Sequence, residues 1–178
     1  MDLRAEALKL IKAKALREGP FKLASGATSN WYVDLSQVLL DGKHFDIWQL
    51  ALKQFLRKHK IKFTAVGGLT MGADPLSLIM ASATRSKSFS IRQAGKDHGA
   101  DSGRIVGALN RNDTILIVDD VATTGNSLLE SILLLLEEGM KMVGAMVLVD
   151  RSGGQAAAKL ESVHIPFYAV FESREIRS

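Results

Sequence analysis

Two adjacent carboxylates, Asp119 and Asp120, follow the apolar run Ile115, Leu116, Ile117 and Val118. After them come Val121 and a stretch of small and hydroxylated residues: Ala122, Thr123, Thr124, Gly125, Asn126 and Ser127. The apolar run reads as a strand buried on both faces of a parallel sheet, ended by the acids. A helix is expected from about Leu128 to Glu138, with Gly139 placed to stop it. The loop and the first helical turn then offer free backbone N–H groups at the positive end of a helix dipole, which suits a phosphate. Thr123, Thr124 and Ser127 add hydroxyl donors, and Gly125 lets the backbone come close. Carboxylates repel a phosphate, so Asp119 and Asp120 suit another part of the ligand. They can accept from vicinal hydroxyls, or hold a divalent cation through its water shell. Together the residues point to a sugar phosphate. Polar residues also end strands for no chemical reason, but two consecutive acids there have no packing rationale.

The elements that position this stretch can be read in chain order. Asp2 to Arg17 carries Leu3, Ala7, Leu8, Ile11, Ala15 and Leu16 on one stripe, an amphipathic helix that Gly19-Pro20 should end. Phe21 to Leu23 and Trp31 to Leu35 read as short strands around a polar turn at Ser25-Gly26. Phe45 to Lys58 is a second helix, with Ile47, Leu50, Ala51 and Phe55 on its apolar face. A strand from Phe63 to Val66 ends at Gly67-Gly68, and a helix runs from Asp74 to Ser82. Ser88 to Gln93 is a further strand. Ala94 to Arg104 is rich in glycine and charge without apolar periodicity, and a loop of that length is usually functional or disordered. Beyond the central strand and helix come a strand from Met142 to Val149, a helix from Ala156 to Glu161 and a strand from Ile165 to Phe171. Alternating strands and helices predict an α/β fold: a Rossmann-like, doubly wound parallel sheet. Residues 1–35 or so do not fit the alternation and suit a small hood, to which the C-terminus can contribute. No internal repeat or linker breaks the chain, so residues 1–178 read as one domain.

Bulk properties bound the function. The chain of 178 residues is 47% hydrophobic and 24% charged, ordinary for a globular protein. It has no cysteine, which excludes disulfides and thiolate metal sites and fits a reducing compartment. The net charge of +4 would help attract an anionic substrate. Lys53, Arg57, Lys58, His59, Lys60 and Lys62 form a basic cluster, but no aromatic interleaving accompanies it. It reads as a solvated helix end rather than a nucleic-acid surface. No apolar run reaches the ~18 residues of a membrane span, and the charged N-terminus does not read as a signal peptide. The expected location is the cytoplasm, with no membrane and no nucleic acid as partner.

A second strand-to-helix junction, Val66 to Pro75, holds Gly67, Gly68 and Gly72. Their backbone N–H groups could form a nest for another anion, or the glycines could serve a tight turn. Arg151 follows Asp150 at a strand end and could form a bidentate pair with a substrate carboxylate. A purely structural pairing with Asp150 or Glu172 is the lesser alternative.

The segment Asp119 to Gly125 resembles the phosphoribosyl-pyrophosphate (PRPP) signature of the type I phosphoribosyltransferases. Arg92-Gln93-Ala94-Gly95-Lys96-Asp97-His98-Gly99 resembles the mobile loop of the orotate phosphoribosyltransferases. Phe21 to Asp34 is similar to the stretch of those enzymes that covers the base, and Arg151 to the arginine that pairs with the orotate carboxylate. The resemblance implies the type I phosphoribosyltransferase fold and the conversion of orotate and PRPP into orotidine 5′-monophosphate and pyrophosphate, in pyrimidine biosynthesis. It assigns catalysis to Lys96, His98, Asp119 and Asp120. PRPP would be held by Gly67, Gly68, Leu69, Thr70 and Arg92 together with Asp119 to Ser127. Orotate would meet Phe21, Ser25, Gly26, Thr123 and Arg151. Mg2+ would be the cofactor, held mainly by substrate oxygens and water, with no dedicated protein site. The family's mobile loop reaches the neighbouring subunit's site, which implies a homodimer with shared active sites.

Three positions depart from the pattern. Gln93 stands where a lysine usually follows the loop arginine, Ala24 where many members have a lysine, and Ala27-Thr28 where a basic residue is common. The base site is expected to be poor in cations, leaving more of the carboxylate recognition to Arg151. Two other readings follow: a phosphoribosyltransferase for another nucleobase, and a non-catalytic regulator that binds PRPP or a nucleotide.

Overall fold

The computed structural model describes residues 2–22, 28–93 and 103–178. Helix α1 (Leu3–Leu10), capped by the Asp2 carboxylate, runs through a π-helical turn (Ile11–Ala15) into β1 (Leu16–Lys22). Strand β1 pairs antiparallel with β2 (Thr28–Val33) in a separate two-stranded sheet. The first helix is therefore shorter than expected. Leu16 and Arg17 already pair with Val33 and Tyr32, and Gly19-Pro20 sits inside β1 at a register shift between Glu18 and Phe21. A proline lacks the ladder donor, and a shift in a two-stranded ribbon accommodates it. Strand pairing has overridden the helical periodicity.

Short α2 (Ser36–Leu39) precedes α3 (Phe45–Lys58), whose span matches expectation. Its buried face matches in part, through Ala51 and Phe55, with Ile47 packed at its edge. Trp48, Ala51, Leu52, Phe55 and Leu56 are buried, while Leu50 stays half exposed. The Trp48 indole turns inward because its N–H reaches the Val38 carbonyl at 3.0 Å.

The remaining elements build one sheet. They are β3 (Ala65–Leu69), α4 (Ala73–Thr84), β4 (Lys87–Ile91), β5 (Ile105–Val106), β6 (Thr114–Ala122), α5 (Asn126–Glu137), β7 (Lys141–Asp150), α6 (Gln155–Glu161), β8 (Phe167–Glu172) and α7 (Ser173–Arg177). The order is β5-β4-β3-β6-β7-β8, parallel except for β5. Neither β5 nor α7 was expected; each is too short to leave a periodic pattern. Gly139, at φ +74°, follows α5 as a C′ glycine. Side chains alternate across β6: Leu116 and Val118 pack with α1, α3 and α4, and Ile115 and Ile117 with α5 and α6. Helices on both faces explain why the central strand is an unbroken apolar run. The chain moves from β3 to β4 on one side and from β6 to β7 and β8 on the other, so the order reverses between β3 and β6. The C-terminal ends of those two strands form the crevice where such sheets bind ligands. Among the described residues, no helix is long and apolar enough to cross a membrane.

Candidate active site at the sheet edge and the hood

Strand β6 runs through the acids instead of stopping before them, because its pairing with β7 continues to Ala122 and Asp150. On the other side, pairing with β3 ends at Gly67 and Ile117. Asp119 and Asp120 therefore lie on a stretch bonded on one side and open on the other. Asp119 Oδ1 accepts from the Asp120 N–H at 3.0 Å, and Asp120 Oδ1 from the Val121 N–H at 2.7 Å. Among the described residues neither forms an ion pair. Burial, reinforced by the neighbouring Asp120 charge, pushes Asp119 up to about 8. Burial raises Asp120 as well. Such a pair is poised for hydroxyl donors or a cation.

The glycines of the β3 junction need a correction. Gly67 and Gly68 lie inside β3, fully enclosed and paired with Phe89 and Ser90 of β4. A side chain at Gly67 would strike Phe89, and one at Gly68 would strike the Val118 carbonyl and lie 2.9 Å from Ala73 Cβ. Close packing requires these glycines, and they are not exposed donors. The Thr70 N–H is also engaged, with the Ile91 carbonyl at 2.8 Å, and Leu69 is buried. The glycine that meets the acids is Gly72: a Cβ there would stand 2.8 Å from Asp120 Oδ1 and 2.9 Å from Asp119 Oδ1. The exposed turn at this edge is thus Thr70 to Gly72, whose Thr70–Met71 peptide is cis.

The loop after β6 has the expected character. Gly125 adopts φ +78°, and α5 begins at Asn126, earlier than the apolar pattern alone shows. Any Cβ on Gly125 would lie 2.8 Å from Ala156 Cα of α6. Thr123 and Asn126 are exposed and Thr124 and Ser127 half buried around this helix start. Sequence reasoning passed over Lys159 of α6. Its ammonium donates to the Thr124 carbonyl at 2.7 Å and to Asn126 Oδ1 at 2.5 Å. A contact between residues so far apart in the chain leaves no local signal.

A cavity of about 520 Å³ joins the hood to the sheet edge, lined by Phe21, Lys22, Tyr32, Asp34, Asp120, Thr123 and Arg151 among others. Phe21 packs on Tyr32 with ring centroids 5.6 Å apart. Arg151 takes neither partner that its sequence neighbours suggest. The Asp150 carboxylate accepts instead from the Ser152 N–H at 2.7 Å. The Arg151 guanidinium lies 3.7 Å over the Trp31 ring and donates to Ser29 Oγ at 3.1 Å. No carboxylate pairs with it among the described residues. Such stacking fixes the plane of the fork while leaving donors free.

Arg92 lies just past β4; its N–H donates to the Arg104 carbonyl at 2.8 Å, and Arg104 Nε returns a bond to the Arg92 carbonyl. Arg104 also pairs with Glu130 of α5, so two strand ends and a helix are tied at this point. Ser25, Gly26, Lys96 and His98 lie outside the described residues.

Comparison with known proteins agrees with this geometry. A family model described as the phosphoribosyl transferase domain matches residues 45–167. The chain is 36% identical to an orotate phosphoribosyltransferase of Streptomyces avermitilis, over 98% of this chain and 97% of that one. Among solved structures, the orotate phosphoribosyltransferase of Mycobacterium tuberculosis H37Rv in complex with Fe(III) dicitrate superposes with a TM-score of 0.82 at 28% identity, covering 98% of each chain. A phosphoribosyltransferase from Corynebacterium diphtheriae gives 0.83 at 27% identity, covering all of both chains. With likeness over nearly its whole length, the chain belongs to the phosphoribosyltransferase family, among its orotate phosphoribosyltransferases.

Proposed function

We propose that this enzyme transfers the 5-phosphoribosyl group of PRPP to orotate, releasing pyrophosphate. The observation that carries the base assignment is Arg151: half buried, stacked on Trp31, without a carboxylate partner among the described residues, and sharing a cavity with Thr123 and Asp120. A planar base bearing a carboxylate would complete both the fork and the stack. Asp119 and Asp120 hold the ribose hydroxyls, and Ala122 to Ser127 hold the 5′-phosphate. The turn Thr70 to Gly72, with Arg92, faces pyrophosphate. Lys96 and His98 join it by family likeness. The C1–pyrophosphate bond loosens toward an oxocarbenium-like state, and the base nitrogen attacks from the opposite face. No protein nucleophile is needed, so the chain's contribution is positioning and fixed charge.

Among the described residues, no group of three or more His, Cys, Asp or Glu side chains is placed to hold a metal ion. The donors at the edge are two hard carboxylates, which fits Mg2+ carried largely by substrate oxygens and water. When bound, it would offset the charge of the leaving pyrophosphate. A homodimer is supported by the exposed Leu40, Leu50, Met71 and Leu78, on neighbouring elements around α3 and α4. The cytoplasm remains the expected location.

The test is loss of orotate absorbance with PRPP and Mg2+, beside uracil, adenine and hypoxanthine. Turnover of orotate alone is expected. Consumption of a different base would transfer the assignment to that base, and silence on all four would favour a PRPP-binding regulator.

A further inference from the structure

Lys159 sits where the phosphate loop turns into α5, yet it comes from another helix. Two of its contacts are short: the Thr124 carbonyl at 2.7 Å and Asn126 Oδ1 at 2.5 Å. Both partners are neutral oxygens. Among the described residues, Lys159 pairs with no carboxylate. A lysine ammonium has three N–H donors, so two contacts leave one unused among the described residues. The side chain is half buried, and α6 is fixed against the loop because Ala156 fills the space a side chain on Gly125 would need. The cation is therefore built into the loop, holding the residues on either side of Gly125.

We infer that Lys159 is the phosphate loop's own cation. It draws the Thr124 carbonyl and the Asn126 side chain toward α6, which keeps these acceptors from facing an incoming anion. Its third N–H and its charge are left for the 5′-phosphate. This rests on assigning Ala122 to Ser127 to that phosphate, and it adds a residue that the loop motif does not contain. The nearby acids make the need physical: once Asp119 and Asp120 ionise, they would otherwise leave this edge negative toward a phosphate.

Lys159→Met keeps the aliphatic stem and removes the charge; Lys159→Arg keeps the charge. The probes are ribose 5-phosphate and pyrophosphate, with binding measured by calorimetry beside steady-state kinetics. Loss of one charge-assisted hydrogen bond predicts about ten- to a hundredfold weaker ribose 5-phosphate binding in Lys159→Met. The KM for PRPP should rise by a similar factor while kcat changes by less than about threefold, the mark of binding shared by ground and transition states. Pyrophosphate binding and the KM for orotate should be unchanged, and Lys159→Arg should recover most of the loss. Unchanged ribose 5-phosphate binding would overturn the inference. So would equal weakening of both probes, since that is general damage to the fold. The calorimetry stands even if orotate proves not to be the base, so the two readings fail separately.

Discussion

At the N-terminal end of β6, Asp113 accepts from Lys87 Nζ at 2.7 Å, from the Thr64 hydroxyl at 2.9 Å and from the Asn110 N–H at 2.7 Å. The Lys87 bond, then that of Asn110, hold its carboxyl below the usual range. At the C-terminal end of the same strand, Asp119 and Asp120 receive, among the described residues, only a backbone N–H each, and burial pushes Asp119 up to about 8. The chain thus supplies a full set of donors where no ligand is expected and withholds them at the crevice. Across the cavity, Arg151 shows the same restraint with the opposite sign. Charges without an ionic partner among the described residues, on both walls, are costly to the free protein and are positioned for something that arrives.

Exchanging carboxylate for carboxamide at the two ends should separate stability from activity, with the largest effects. Asp119→Asn with Asp120→Asn keeps both backbone acceptors and removes both charges. Turnover should fall on the order of a thousandfold. Stability near pH 8.5 should rise by about 1–3 kcal/mol, as buried uncompensated charge is removed. Asp113→Asn should do the reverse: about 1–2 kcal/mol lost, discounted because Lys87 is partly exposed, with kcat/KM unchanged. Urea melts and steady-state rates on both variants decide it. A destabilised double variant would mean that the acids serve the fold.

The pH dependence sharpens the same contrast. Asp119 is raised, so between about 4 and 8 the folded protein binds a proton that the unfolded chain releases. Stability of the ligand-free protein should therefore fall as pH rises through that window, and level above it. Asp113 is lowered, so its contribution is complete above about 4 and lost below it, as pH falls through the folded value. Melting temperatures between pH 5 and 9 should slope downward in the wild type and flatten in the double Asn variant. A flat wild-type profile would remove the argument for uncompensated carboxylates.

On the opposite wall, Arg151→Ala should raise the KM for orotate by about ten- to a hundredfold and leave that for PRPP unchanged. Arg151→Lys should recover little, because an ammonium offers neither the planar fork nor the stack on Trp31. A rise in both KM values would show that Arg151 supports the hood rather than the base.

Much of this was legible in the sequence because it is local. The run Ile115 to Val118 announces a two-faced strand, and Gly125 and Gly139 mark turns that the backbone does adopt at positive φ. What was not legible depends on partners distant in sequence. Gly67 and Gly68 look like loop glycines, yet they are demanded by Phe89 and Val118 across the sheet. Leu50 fits a helical stripe as well as Trp48 does, but only Trp48 has the Val38 carbonyl to receive it. Asp150 and Arg151 look like an ion pair, yet the backbone of Ser152 claims the carboxylate and Trp31 the guanidinium. The contacts that the central motif does not announce come from Gly72 and Lys159, which belong to other elements and stand against it.

The smallest expected effect concerns the cation that the hood pattern lacks. Ala24 offers no charge, but Lys22, two residues earlier at the end of β1, lines the cavity with Phe21 and Arg151. Arg17, also on this wall, is occupied by Asp34 at 3.3 Å, whereas Lys22 forms no ion pair among the described residues. Lys22 is exposed, so the attraction of its ammonium for a carboxylate is screened by solvent and salt. Lys22→Ala should therefore raise the KM for orotate only about two- to fivefold at low salt. The difference should vanish at high ionic strength, where the effect of Arg151→Ala persists because that guanidinium is half buried. A Lys22 effect as large and as salt-resistant as that of Arg151 would mean that the hood, and not the sheet edge, holds the carboxylate.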